Sequence, residues 1–148
     1  AEQAMREKAK ELGLTEKICI VHSVPHADIP FYINAMDLLV LPSYTVPHWK
    51  EQFVQVLVQA MASEVPVIGS THAEIPNVIG NAGLIFPEHD VEQLGEALRR
   101  LVEDEGLRRD LGEKGRERVL AHYTNTKIAE ATYAIYHKLL EGDETCVA

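Results

Sequence analysis

Two polar side chains stand out in the stretch KEQFVQVLVQAM, Lys50 to Met61. A carboxylate, Glu51, sits at its mouth, and an amide, Gln59, lies eight residues on within an apolar run. The pattern predicts a helix from about residue 52 to 63, which would leave the N–H groups of Gln52, Phe53 and Val54 without intrahelical partners. Such a helix start favours anionic ligand groups. A phosphate beside Glu51 would be repelled, so the carboxylate is better suited to accept hydrogen bonds from neutral hydroxyls. On a continuous helix Gln59 would lie about 12 Å along the axis from Glu51 and about 80° around it. That separation suits two ends of one extended ligand, not two carboxyl groups sharing a proton. Taken alone, the same pattern fits a plain helix-cap carboxylate and a solvated helix amide.

Other chemistries find less support. His22 and His26 are four apart, but Pro25 lies between them and no Cys or carboxylate completes a ligand set, so no metal site is expected. The segment IGSTH places a Ser after an apolar run without the glycine-flanked turn of a nucleophile elbow. Neither GxGxxG nor GxxxxGK[ST] occurs, which argues against the common dinucleotide and P-loop sites. Cys19 lies in an apolar strand-like run and Cys146 in a polar tail; a redox thiol is unsupported, and a reducing compartment is the simpler reading.

The elements that would carry these residues alternate. Residues 2–12 read as a helix stopped by Gly13, and KICIV (17–21) as a short strand. Asp28 is placed to cap a short helix running through Ala35, with Pro30 in its first turn. DLLVLP (37–42) and VPVIGS (65–70) are continuous apolar runs, as expected of strands buried on both faces. Pro76 falls near the first position of another helix, and GLIFP (83–87) reads as a strand. Helices are predicted over 91–104, 107–121 and 124–140, separated by Gly106 and by Thr124–Asn125. This order specifies an α/β, doubly wound parallel sheet with right-handed crossovers. Ligands in such sheets bind beyond the carboxyl ends of the strands, here the loops 22–27, 42–51 and 70–75.

The totals fit that picture. The 148 residues suit one domain, and the 46% hydrophobic and 25% charged content are those of an ordinary globular protein. A formal charge of −9 with no basic block argues against nucleic acid or an anionic membrane surface as partner. No apolar run is long enough to span a membrane. The opening AEQAMREKAKELG, already helical in pattern and without an initiator Met, reads as a piece of a longer chain.

Four ordered motifs together resemble one family. They are VPHADIPFYINAMDLLVLPS (24–43), KEQFVQVLVQAMASEVPVIGS (50–70), EIPNVIGNAGLIFPEHD (74–90) and LRRDLGEKGRERV (107–119). Nearly the whole chain is similar to the C-terminal, donor-binding domain of the retaining family 4, or group 1, glycosyltransferases, which have two facing Rossmann-like domains. The resemblance implies transfer of a sugar from a nucleotide-diphosphate donor to a carbohydrate or lipid-linked acceptor, with no metal or other cofactor. It implies a cytoplasmic location, in polysaccharide or glycoconjugate assembly, with any membrane association decided elsewhere in the full-length protein.

The family pattern is a Glu, seven residues and a second Glu. By position Glu51 matches the first, which contacts the donor sugar, and Gln59 stands where the second binds the ribose. The resemblance further places the diphosphate against the N–H groups of Gln52, Phe53 and Val54. It puts the base against Val24 and Pro25, and Thr71 and His72 along the cleft near the sugar or acceptor. Several residues depart from the pattern. Gln59 lacks the charge, Val54 puts a branched side chain where the family has Gly, Gln55 takes a position often held by Arg or an apolar residue, and His22, Glu64 and Ala73 also fall where Gly is usual. A second reading is therefore a catalytically degenerate nucleotide-binding or interaction module of the same ancestry, and a third an unrelated flavodoxin-like or receiver-like domain. The family's donor domain also begins with two further strands bearing a diphosphate-clamping Arg and Lys, which have no counterpart here. Residues 1–148 are thus expected to be a partial donor domain, inactive in isolation, with the strand at 17–21 left without a neighbour and the inner edge of the strand at 37–42 unpaired.

Overall fold

The computed structural model describes residues 2–46 and 54–141. Its centre is a parallel sheet of β1 (Leu39–Leu41), β2 (Val67–Ser70) and β3 (Gly83–Phe86), in the order β1-β2-β3. The helices in chain order are α1 (Glu2–Glu11), α2 (Ile29–Asn34), α3 (Gln55–Ala62), α4 (Ile75–Ile79), α5 (Val91–Glu103), α6 (Glu105–His122) and α7 (Asn125–Leu140). The α/β, doubly wound arrangement expected from the alternating pattern is present.

Alternation along the strands explains why both faces are apolar. Leu39, Leu41 and Val67 face one core, with Leu57, Met61 and Ile79 from α3 and α4. Val40, Ile68, Leu84 and Phe86 face the other, with Ala97 and Leu101 from α5 and Leu111 from α6. Side chains at successive strand positions point to opposite faces, so helices on both sides demand apolar residues throughout. Gly69 is required by packing: a Cβ there would run into Ile75 and Ile79 of α4.

One helix, α6, closes the ends of three others. Arg108 donates to the carbonyls of Leu101 and Val102 at 2.6 and 3.0 Å, at the end of α5. Arg116 donates to Ala62 at 2.7 Å, the last residue of α3. Arg118 donates to Asn77 and Val78 of α4 at 2.6 and 2.9 Å. Each guanidinium satisfies carbonyls that a helix end leaves unpaired and places a cation at the negative end of the helix dipole.

Three expectations change. Residues 18–21 form no strand, and Ile18, Cys19 and Val21 are exposed. β-branched residues favour a strand only where a neighbour pairs with them, and β1, the nearer sheet edge, is paired to β2 alone among the described residues. Second, α3 starts at Gln55, not near 52, because Val54 takes a non-helical φ of −94° and ψ of 73° as its N-cap. Glu51, the other end of the expected 12 Å separation from Gln59, lies outside the described residues. Third, Gly106 lies inside α6; the break is at Asp104, whose carboxylate accepts the Leu107 N–H at 2.8 Å.

Glu64 and Ala73, two positions where the resemblance leads one to expect Gly, have φ of 59° and 47°. This left-handed region costs an L-residue roughly 1–2 kcal/mol, offset in part by the greater unfolded-state entropy of Gly. Ala73→Gly is expected to stabilise the chain by about 0.5 kcal/mol, raising Tm by roughly 1–2 °C. Thermal unfolding followed by circular dichroism checks this, and a lower Tm would contradict it.

Candidate functional site

The parallel strands all end on one side, and the loops that follow them carry the polar residues. Of the positions expected to form the site, Glu51, Gln52 and Phe53 lie outside the described residues. Val54 is buried at 3% exposure and belongs to the core beside α3. Its branched side chain therefore packs inward, which corrects the expectation that it crowds a ligand. With α3 capped at Val54 and the Leu57 N–H bonded to the Val54 carbonyl, the N–H groups that open the helix are those of Gln55 and Val56.

Val24 and Gln59, remote in sequence, meet in one groove of about 640 Å³. Its wall also includes His26, Tyr32, Gln55 and Val56. Among the described residues no Lys, Arg, Asp or Glu lines it. Pro25, next to Val24, is exposed at the start of the 3₁₀ turn His26–Asp28 that leads into α2. Gln59 is half-buried on α3, with its amide available to a ligand hydroxyl in the groove. The groove is thus apolar with amide groups at one side, which suits a flat uncharged ring and a hydroxylated sugar more than a phosphate. A second cavity of about 240 Å³, between α1 and residues 15–20, is lined by Met5, Ala9, Ile18 and Ile20 with Arg6 and Lys10, and holds none of the expected site residues.

Thr71 and His72 belong to a separate polar cluster at the ends of the three strands. Thr71 is exposed, whereas His72 is fully buried and so contributes to the rim from beneath. The cluster includes a residue the sequence pattern did not single out, Glu88. Its Oε2 accepts the Thr45 N–H at 2.5 Å and its Oε1 accepts the Thr45 hydroxyl at 3.0 Å. His72 Nδ1 lies 3.2 Å from Thr45 Oγ1 and 3.6 Å from Glu88 Oε1. The Glu88 N–H donates to Thr71 Oγ1 at 3.1 Å, and the Ser70 hydroxyl donates to the Ser43 carbonyl at 2.5 Å. The signal that could have found Glu88 is its place directly after the strand GLIFP; the loops after the earlier strands were read as ligand-facing, and this one was not.

The Thr45 N–H is the main cause that holds the Glu88 carboxyl below its ordinary 4.5; burial opposes it, and the Thr45 hydroxyl and the His72 ring add to the lowering. A depressed carboxylate stabilises the fold above its unfolded-state value, and that stabilisation is lost as pH falls through the lowered one. Urea unfolding between pH 6 and pH 3 is expected to show a fall in stability that is shallower in Glu88→Gln. Equal slopes in the two proteins would contradict the assignment.

Metal ligation finds no cluster of three or more His, Cys, Asp or Glu among the described residues. No described helix is long and apolar enough to cross a membrane.

Comparison with known proteins agrees with the geometry. The sequence pattern of the family described as "Glycosyl transferases group 1" matches residues 1–118. A capsular polysaccharide biosynthesis glycosyltransferase from Staphylococcus aureus is 34% identical over 93% of this chain and 36% of its own length. An N-acetyl-alpha-D-glucosaminyl L-malate synthase from Bacillus anthracis is 36% identical over 64% of the chain and 26% of its own. The solved structure of a sucrose-phosphate synthase from Thermosynechococcus elongatus superposes with a TM-score of 0.80 at 29% identity, covering 95% of this chain and 34% of that one. The C-terminal domain of a group 1 family protein from Francisella tularensis gives 0.73 at 26% identity, with 84% and 63% covered. The chain spans between a quarter and about a third of the length of these curated relatives.

Proposed function

The chain belongs to the group 1 glycosyltransferases, and from that premise we propose that it supplies the donor-binding part of an enzyme that moves a sugar from a nucleotide diphosphate to a carbohydrate or lipid-linked acceptor with retention of configuration. One observation carries the reading: Val24 and Gln59 share a groove of about 640 Å³ that no Lys, Arg, Asp or Glu lines among the described residues. In this reading the base lies along Val24 and Pro25, and the Gln59 amide accepts from the ribose hydroxyls. The diphosphate lies toward the start of α3, against main-chain N–H groups of Gln52 to Val54, and Gln55 and Val56 extend that set. Glu51 takes the sugar hydroxyls, and Thr71 closes the cleft on the far side.

Catalysis on such a site is mainly positioning, together with electrostatic stabilisation of the departing diphosphate. No metal is required of it. The acceptor, and any contact with a membrane, belong to parts of the protein beyond these 148 residues, and the cytoplasm is the compartment that supplies nucleotide sugars for this chemistry. Transfer therefore needs the longer protein, and sugar transfer by the 148-residue chain alone would contradict this reading.

A specific observation favours a second reading: the amide of Gln59, in a groove that no Lys, Arg, Asp or Glu lines among the described residues, also fits a nucleotide-binding module that has lost transfer. Amide shift mapping by NMR with UDP, GDP and ADP tests the first step common to both. Shifts confined to Val24, Gln55, Val56 and Gln59 are expected with one nucleotide. Absence of shifts there with all three, from a folded sample, would remove the donor-site reading.

A further inference from the structure

We propose that Tyr32 is the residue on which the base of the donor nucleotide stacks. The inference rests on the donor-site reading above and deepens it, adding an aromatic face to a base site otherwise made of Val24 and Pro25.

The local sequence puts that ring at the groove. Ile29 and Ile33, four apart on the short helix α2, anchor it: Ile33 is buried at 3% exposure, and Ile29 packs against the same core cluster. Residues three and four apart share a helix face, so Tyr32, three after Ile29, falls at the border of that buried stripe. It lines the groove beside both isoleucines and stays 48% exposed. Phe31, one residue earlier, is 73% exposed and lies off the groove wall. A tyrosine joins an apolar ring to a polar tip, which suits a position half in the core and half in a binding groove.

Among the described residues three rings line the groove: His22, His26 and Tyr32. His22 Nδ1 lies 3.6 Å from a carboxylate oxygen of Glu2, which engages that ring with α1. His26 opens the 3₁₀ turn after Pro25, and its smaller ring carries two nitrogens better suited to the edge of a base than to its face. Tyr32 has the largest π-face of the three. The polar groups that accompany it are uncommitted: among the described residues the Tyr32 hydroxyl and the side-chain amides of Gln55 and Gln59 make no hydrogen bond. They come from two helices, α2 and α3, and meet Val24 in one groove. One large aromatic ring, apolar side chains and neutral hydrogen-bonding groups match a base and its ribose, which combine flat apolar faces with polar edges and hydroxyls. Every base has a π-face, so a stacking ring adds affinity without choosing among bases.

The test uses the 148-residue chain in three forms: unaltered, Tyr32→Phe and Tyr32→Leu. Titration with UDP, GDP and ADP gives the affinities. Nuclear Overhauser effects between base protons of the bound nucleotide and tyrosine ring protons read the contact directly. The unaltered chain is expected to bind one nucleotide and to show this effect with one tyrosine. In Tyr32→Phe the tyrosine signal is expected to vanish while binding is kept, because the ring remains. Tyr32→Leu keeps apolar bulk without a ring, and is expected to bind the same nucleotide about tenfold more weakly. Thermal unfolding of all three separates a lost contact from a lost fold, and the contact signal in the unaltered chain decides the matter even where Tyr32→Leu is less stable. Binding with no Overhauser effect to Tyr32, or with equal affinity in a folded Tyr32→Leu, overturns the stacking role and leaves the donor-site reading in place. A change of preferred nucleotide in Tyr32→Leu also overturns it, since Tyr32 would then read the edge of the base. A folded, unaltered chain that binds none of the three removes the donor-site reading itself, and the role of Tyr32 with it.

Discussion

Gly112→Val is expected to destabilise the chain by at least about 3 kcal/mol, the largest single effect foreseen in the fold. Gly112 is buried on α6, and a Cβ there would fall on the carbonyl oxygen of Glu64, with the carbonyl carbon at 3.1 Å. The obstacle is main chain, in the turn between α3 and β2, and that turn is already held at a φ of 59°. Neither side can yield by changing a rotamer, so α6 must move away from α3. One turn on, Gly115 sits against Met61, so the displacement would open the core along the whole contact. It would also draw Arg116 and Arg118 from the carbonyls they cap. At this chain length the loss corresponds to a Tm lower by roughly 6–12 °C. Gly95→Ala is the internal control: nothing lies within 4 Å of its Cβ, and helix propensity alone should stabilise by up to about 1 kcal/mol. Equal Tm values for Gly112→Val and the unaltered chain would contradict the packing described for α3 and α6.

Gln59→Glu is expected to tighten nucleotide binding about tenfold, since a charge-assisted hydrogen bond to a ribose hydroxyl exceeds a neutral one by about 1–1.5 kcal/mol. The position can accept the charge because Gln59 is only half-buried and, among the described residues, no carboxylate lines the groove. Repulsion of the diphosphate is the opposing effect, and it is reduced by salt and by distance from the ribose end. The complementary change at 54 is not expected to help. Val54 is part of the core, so Val54→Gly would remove buried apolar contacts and add backbone freedom. Fluorescence titration with the matching nucleoside diphosphate at two salt concentrations measures the gain. Unchanged or weaker binding in Gln59→Glu would place the ribose elsewhere.

Much of the fold was legible in the sequence because the pattern was redundant. Residues 38–42 and 65–69 carry no polar side chain, and only a sheet covered on both faces needs such unbroken runs. Gly13 acts as the expected stop, with a φ of 68°, and Thr124, at the expected break, accepts the Lys127 N–H; the cap of Asp90 on Gln93 emerges only from the structure. Residues 17–21 misled because their β-branched composition is a local preference, whereas a strand requires a partner along its edge. The start of α3 was displaced because Val54 buries its side chain from a non-helical backbone, a tertiary effect that periodicity does not register. In the site, Val24 and Gln59 were matched to one ligand by resemblance, and the fold does bring them to one groove. Glu88 was passed over because its contacts with Thr45 and His72 cross sequence separations that no short motif spans, and its place after the strand GLIFP was the one local signal. Glu51, Gln52 and Phe53 remain expectations from the family pattern.

The central claim is that these residues bind the nucleotide of a sugar donor. Calorimetric titration of the 148-residue chain with UDP, GDP, ADP and their sugar conjugates tests it most directly, with Glu51→Ala and Gln59→Ala alongside. The account predicts saturable binding of one nucleotide, weakened by Gln59→Ala, with Glu51→Ala removing the added affinity of the sugar conjugate. A folded sample that binds none of them, or binds one with no loss in either variant, would contradict it.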